Sequence, residues 1–124
     1  KTTAARVKTY IGAVTTIAGL AEVQMDITNF TDSILIQPNS DGSAPTTGTL
    51  DAANENVGIG SNVFASLTSG DNCVGIGSYA LDAMTTGGNN VAMGYLAGSG
   101  QVGGSAILFV LDLTLDLQVV RVVR

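Results

Sequence analysis

The chain has 124 residues, of which 45% are hydrophobic and 12% charged, and its ten acids and five bases give a formal net charge of −5. The hydrophobic content is too high for a disordered tail, and the low charge is typical of a chain that turns much of its surface toward other chains. All ten acids and none of the bases lie within 9–120. That body repels phosphate backbones, which argues against nucleic-acid binding.

Residues 1–26 are predicted to be an N-terminal connecting segment. Apolar residues recur at spacings of 4, 3, 4, 3 and 4, which suits the seam of a short parallel coiled coil. The seam consists of Val7, Ile11, Val14, Ala18, Ala21 and Met25. Gly12 and Gly19 lower the helix propensity, and residues 14–17 fit a strand equally well. Helix and strand both stay open, and either form would join chains or link to a preceding section.

Residues 27–53 are predicted to be a lead-in made of a strand and a loop. The run Ser33–Gln37 reads as a strand that ends at Pro38. Residues 39–45 follow as a loop with Asp41-Gly42 as its turn. The spacing of acidic and amide residues there does not match a calcium-binding loop, so we expect a structural turn.

Residues 54–100 are a Gly-rich region in which one 17-residue pattern is written almost three times. The copies read NENVGIGSNVFASLTSG, DNCVGIGSYALDAMTTG and NNVAMGYLAGSG. A short fixed period indicates that each copy is one supersecondary element that cannot bury its apolar face alone. Each copy therefore needs neighbours stacked above and below it, or copies of itself from other chains.

Every copy has a short strand in which apolar residues alternate with glycine or alanine. We expect the apolar members to form the core of the repeats and of a trimer: Val57, Ile59, Val74, Ile76, Val91 and Met93. Glycine weakens a strand, and close approach of another backbone is the usual reason for it. The glycines assigned to such an approach are Gly58, Gly60, Gly75, Gly77 and Gly94. Apolar residues after each strand predict one helical turn or a tight loop.

The repeat pattern N-x-V-[GA]-[IM]-G, an apolar pair, Leu or Met, and then T-[TS]-G resembles the repeats of bacteriophage tail fibres and tailspikes. It is similar, more distantly, to the head repeats of trimeric autotransporter adhesins. The resemblance covers residues 54–100, and Cys73 departs from it where the other copies carry Asn56 and Asn90. It implies an elongated trimer in a virion appendage, other tail or fibre proteins as partners, and attachment to a receptor on a host surface.

The predicted fold class is all-β dominated: an elongated trimeric β-solenoid or β-prism-like fibre with short helical turns, and with an N-terminal helix if the seam is helical. One copy offers about four apolar side chains, too few to offset the conformational entropy of ordering its residues. Partner chains around a shared axis would roughly double the apolar area that each copy buries. An intertwined homotrimer is therefore favoured.

Residues 101–124 are predicted to be a C-terminal strand segment. The alternation of Leu with Asp or Thr over 111–117 indicates a half-buried strand, and residues 119–124 continue it less regularly. Such a strand is expected to pair with another strand or chain. The longest apolar run, 106–111, is far shorter than the ~20 residues that cross a bilayer, so no membrane insertion is expected.

No enzyme, cofactor or metal chemistry is predicted. The chain has no histidine for a catalytic triad or a metal site, and its Gly-x-Gly motifs lack the third glycine of a dinucleotide-binding loop. The pairs Asp71 with Asp82 and Asp112 with Asp116 lack the aromatic platforms of a glycosidase cleft. Cys73 is expected to be a small buried hydrophobe.

The predicted function is a structural or adhesive segment of a phage tail fibre, homotrimeric, located on the virion outside the cell and supporting host attachment. The runner-up is the head segment of a bacterial trimeric adhesin. A monomeric solenoid that binds ice or calcium is a third alternative, although ice binding would need a flat threonine array and Thr68, Thr85 and Thr86 are few.

Overall fold

The structure, a computed structural model, describes residues 20–104, 107–109 and 120–122. Its strands are β1 (Val23–Ile27), β2 (Phe30–Ile36), β3 (Val57–Ile59), β4 (Val74–Ile76), β5 (Val91–Met93), β6 (Ile107–Phe109) and β7 (Val120–Val122). The described residues contain no helix, which confirms the all-β class. The alternating strand predicted over 111–117 lies outside them.

Strands β1 to β5 form one open sheet in the order in which they occur along the chain. β1 and β2 are an antiparallel hairpin, whereas β2, β3, β4 and β5 run parallel to one another. The hairpin places Met25 opposite Ile34. The last member of the predicted heptad seam therefore lies in a strand and not in a helix, and residues 1–19 lie outside the described part of the chain. β6 and β7 form a separate antiparallel pair.

The period of the repeats becomes the register of the parallel strands. Val57 pairs with Val74 and Val74 with Val91, so equivalent residues of successive repeats lie side by side. Hydrogen bonds continue this stacking into the turns, where Tyr79 N donates to Ser61 O at 2.8 Å and Leu96 N donates to Ser78 O at 3.0 Å. Each repeat is thus stacked on the next along most of its length.

Tight turns, and not the short helical turns that were predicted, follow β3, β4 and β5. Val63 N donates to Gly60 O at 3.3 Å and Leu67 N donates to Phe64 O at 3.0 Å, the three-residue spacing of β-turns. Phe64 has a positive φ of 57°, and its equivalent Leu81 has 51°. A left-handed residue inside each turn interrupts any right-handed helix, and the helical alternative is wrong here.

The interior of the stack lies on the glycine side of the parallel strands. Gly58, Gly75 and Ala92 point to that side, where Gly58 and Gly75 face side chains of the turns. The fully buried side chains that fill the space above them include Val63, Phe64, Leu67, Leu81 and Met84. A Cβ on Gly58 would come within 2.6 Å of Leu35 Cδ1 and 2.7 Å of Phe64 Cδ2, so the small residues leave room for the turn side chains.

Two glycines let successive repeats approach each other at the end of each strand. A Cβ on Gly60 would collide with the carbonyl oxygen of Gly77, and a Cβ on Gly77 would collide with that of Gly94. The φ angles of Gly60 and Gly77 are 143° and 128°, a region that side chains rarely adopt. These positions require glycine both for the turn and for the stacking distance.

A buried polar column closes the other end of each strand. Asn56 Oδ1 accepts a hydrogen bond from Cys73 N at 2.9 Å, and Asn56 Nδ2 donates to Gly70 O at 2.8 Å. In the next repeat the Cys73 thiol takes the place of that amide, and its single proton has two acceptors within reach, Asp71 O at 3.2 Å and Gly87 O at 3.4 Å. The cysteine thus keeps the donor role of asparagine in a weaker form.

The two ends of the stack differ. At the N-terminal end, the buried side chain of Gln37 donates from Nε2 to Thr46 O at 2.9 Å and accepts at Oε1 from Thr46 N at 2.7 Å. Gln37 Nε2 also donates to Val63 O at 2.5 Å, so this clamp joins the loop after β2 to the first repeat. At the C-terminal end, Thr85 N donates to Val102 O at 2.7 Å, so residues 101–104 extend the ladder beyond the third strand of the repeats.

Candidate interaction surface

The apolar residues predicted to form the core of the repeats share the outer face of the parallel strands. This sheet face comprises Val57, Ile59, Val74, Ile76, Val91 and Met93, all of them partly exposed or exposed. Ile59 retains 41% exposure. Inside one chain, the core is formed instead by the turn side chains on the glycine side, so a role of the sheet face in a core between chains stays a prediction.

The sheet face continues unbroken from β2 to β5. Ile34 and Ile36 of β2 are in register with Val57 and Ile59 and are likewise partly exposed. The face therefore has two apolar columns, one through Val57 and one through Ile59, and neither column contains a charged residue. Parallel strands are normally covered on both faces of their sheet, so this contiguous apolar face is a candidate interaction site.

The turns beside the sheet face carry a second apolar cluster at the surface, which we call the turn corner: Tyr79, Tyr95 and Leu96. Tyr79 is 40% exposed and Tyr95 is 56% exposed, while Leu96 is partly exposed. The turn corner begins just beyond the strands, because Tyr79 follows shortly after the end of β4 at Ile76. Sequence reasoning missed these tyrosines, since their positions vary between the copies and only the stacking places them together.

None of the acids is a member of the sheet face or of the turn corner. Residues 20–104 contain eight acids and no Lys or Arg. Asp51 and Glu55 are exposed, and Asp71 Oδ1 accepts a hydrogen bond from Asn54 N at 2.9 Å. Asp82 Oδ1 is buried without a hydrogen-bond partner. Asp112 and Asp116 lie outside the described residues.

The residues considered for chemistry serve the stack. Cys73 is fully buried, 4.0 Å from Met84 Sδ, and burial raises the pKa of its thiol, which opposes formation of the nucleophilic thiolate. Gly58 and Gly75 face the filled interior, where no phosphate could approach. No group of three or more Cys, Asp or Glu side chains within the described ranges could hold a metal ion.

Thr68 and Thr85, which occupy the same position in successive repeats, donate their hydroxyl hydrogens to the backbone of the next repeat. Thr68 Oγ1 donates to Thr85 O at 2.9 Å, and Thr85 Oγ1 donates to Val102 O at the same distance. Hydroxyls bonded to the next repeat are not presented to solvent in the way that an ice-binding array requires. This column thus stabilises the stack.

Comparison with protein-family models finds no matching family, and comparison with curated proteins and with solved structures finds no match to either. Among the described residues, no helix is long and apolar enough to cross a membrane. Function is therefore inferred from the chain's own residues and geometry.

Proposed function

We propose that the chain is a structural and adhesive segment of a phage tail fibre, in which three copies associate around one axis as a β-solenoid fibre that supports host attachment. The observation that supports this proposal is the sheet face. Every parallel strand directs two apolar side chains away from an interior that is already filled, and they form uncharged columns in register.

The physical reason is the cost of leaving that face in water. Burial of apolar surface stabilises by roughly 25 cal/mol per Å², and the interior of one chain has no room for these side chains. Further copies of the chain are suitable partners because each brings the same uncharged sheet face to a shared axis, where no like charges meet. The acids at Asp51 and Glu55 lie outside the sheet face and would remain hydrated.

The resemblance of the repeats to those of phage tail fibres supports the location in a virion. The same architecture would serve the head of a bacterial trimeric adhesin, and only the location separates the two. Antibodies raised against the purified chain should label tail appendages of phage particles in immunogold microscopy. Labelling of the bacterial envelope, with unlabelled virions, would decide for the adhesin.

Sedimentation equilibrium tests the assembly directly. The purified chain should have three times its monomer mass of 12.5 kDa. Ile76→Asp places a charge on the sheet face and should shift the chain toward monomer. Val102→Asp is the matched control, because Val102 is 58% exposed but lies in the threonine column away from the sheet face, and it should leave the mass unchanged. A wild-type chain that stays monomeric at all concentrations would refute the proposal.

A further inference from the structure

A ring of three identical chains needs two different contact patches on each chain. Cyclic assemblies with more than two members are built from heterologous interfaces, in which one patch of a subunit meets another patch of its neighbour. The sheet face is one such patch. We infer that the turn corner is the other and that it packs against the sheet face of the next copy, an inference that rests on the proposed homotrimer.

The backbone holds the turn corner in place. Hydrogen bonds from Tyr79 N to Ser61 O and from Leu96 N to Ser78 O stack the turns in register. The two tyrosines therefore occupy adjacent repeats one position apart, with Tyr79 in the same column as Leu96. Ala80 and Leu81, directly after Tyr79, are fully buried. In this turn, Ala80 and Leu81 fill the interior, while Tyr79 stays at the surface.

Charge separates the turn corner from the other exposed apolar side chains. Ile27 lies in β1 next to Asp26, and Leu20 lies two residues before Glu22. Val102 shares a column with an acid. The corresponding columns through Tyr79 and Tyr95 contain only Ser, Asn, Tyr and Leu within the repeats. Chains with eight acids and no bases over residues 20–104 repel one another, so their contacts must form between uncharged surfaces.

The order of residues along each strand indicates which column the turn corner meets. Ile76 ends β4 and lies nearest to the turn corner of its own chain, whereas Val74 lies at the opposite edge of the sheet face. If three sheet faces point toward a common axis, the turn corner of one copy reaches the far edge of the next. Tyr79 and Tyr95 would therefore pack on the column that contains Val74 and Val91.

Mixing two damaged variants tests this heterologous pairing. The corner variant is Tyr79→Asp with Tyr95→Asp, and the face variant is Val74→Asp with Val91→Asp. Each alone should lose the trimer in native mass spectrometry, while the Val102→Asp control keeps it. Mixed, the intact corner of the face variant can still bind the intact face of the corner variant. We expect a 1:1 heterodimer that grows no further, because both remaining patches are damaged.

The possible failures are distinguishable. A corner variant that remains trimeric with the melting temperature of the wild type overturns the inference and leaves the proposed homotrimer standing. Two monomeric variants that form no heterodimer at the highest attainable concentration also overturn it. A wild-type chain that is itself monomeric refutes the proposed function as well.

A second measurement tests the inference without the aspartate variants, in case these fail to fold. A benzophenone photo-crosslinker in place of Tyr95 in the otherwise intact chain should give crosslinked dimers on irradiation. Mass spectrometry should place the attachment on the sheet face of another copy, within 57–59, 74–76 or 91–93. Crosslinks to other regions of the neighbour, or none in a sample shown to be trimeric, would contradict the inference.

Discussion

At the scale of single residues, Cys73 shows how the stack tolerates an exchange in its buried polar column. The thiol occupies the position of Asn56 and Asn90 and keeps a donor within reach of Asp71 O and Gly87 O. It gives up the amide oxygen, which in Asn56 accepts from the backbone of the next repeat. Hydrogen bonds of sulfur are weak, so this repeat is held less firmly by its polar column than the first one.

The buried thiol predicts an alkaline loss of stability. Burial raises the pKa of Cys73 above its ordinary 9.0 in the folded state, so folding favours the neutral thiol. This contribution is complete below that ordinary value and is lost as the pH rises through the raised pKa, with a slope of at most ~1.4 kcal/mol per pH unit. Thermal melts of the wild type should fall more steeply in this alkaline range than those of Cys73→Ala.

The comparison with Cys73→Ala separates the thiol from other alkaline effects. Cys73→Ala changes no other titratable side chain, so all other alkaline effects cancel in the difference. Cys73→Ala should melt lower than the wild type at neutral pH, because it removes the thiol donor that lies within reach of Asp71 O and Gly87 O. Parallel curves throughout the alkaline range would show that the thiol is not buried in solution.

At the scale of strands and turns, glycine performs two tasks that a pair of substitutions can separate. Gly77 has a φ of 128° and faces the carbonyl of Gly94, whereas Gly42 has a φ of 69° with open space around it. Gly77→Ala should therefore cost about 3 kcal/mol or more, from strain and collision together. Gly42→Ala should cost only about 1–2 kcal/mol, from the backbone conformation. Chemical denaturation of both variants measures the difference, and equal losses would contradict the stacking distance.

The strands and their register could be predicted from the sequence, because a fixed repeat period and alternation of side chains leave one way to pair equivalent residues. The sequence did not allow us to predict which side chains fill the interior. Alternation of Val57 with Gly58 is compatible with either face inside, and the choice depends on Phe64 and Leu81 folding back from turns. Their left-handed conformations are unusual for large apolar residues and leave no local signal.

The hairpin at the start of the sheet was also hidden from sequence reasoning. Spacing of apolar residues up to Met25 fits a heptad seam, but Met25 pairs with Ile34 across the hairpin. Pairing with β2 outweighs the weak local preference. A bulge at Asp26, with a positive φ of 46°, distorts this edge strand, and such distortion discourages further strand addition. The hairpin is thus suited to cap the stack.

At the scale of the whole molecule, the chain contains a row of nearly identical units between two different ends. In such arrays the stability is approximately a sum of terms from each repeat and from each contact between neighbours. A middle repeat has both neighbours, and its sheet-face residues extend the surface offered to other copies. The number of repeats can therefore be changed without redesigning any contact between them.

Insertion of a second copy of residues 71–87 directly after Gly87 should stabilise the protein. The added repeat continues every column in register and adds one more pair of apolar residues to the sheet face. We expect a rise in melting temperature of about 2–4 °C for each 1 kcal/mol gained. Differential scanning calorimetry measures the rise, and the oligomeric mass should remain a whole multiple of that of the longer chain.

The control for this insertion is the same segment shortened by one residue of its strand. A shift of one position turns apolar side chains to the wrong face of a sheet. The shortened insertion also shifts the carbonyl groups of its turn away from the glycines that they approach in the native stack. This variant should therefore melt below the wild type. Equal melting temperatures for the two insertions would show that repeats in solution do not stack in the register of β3, β4 and β5.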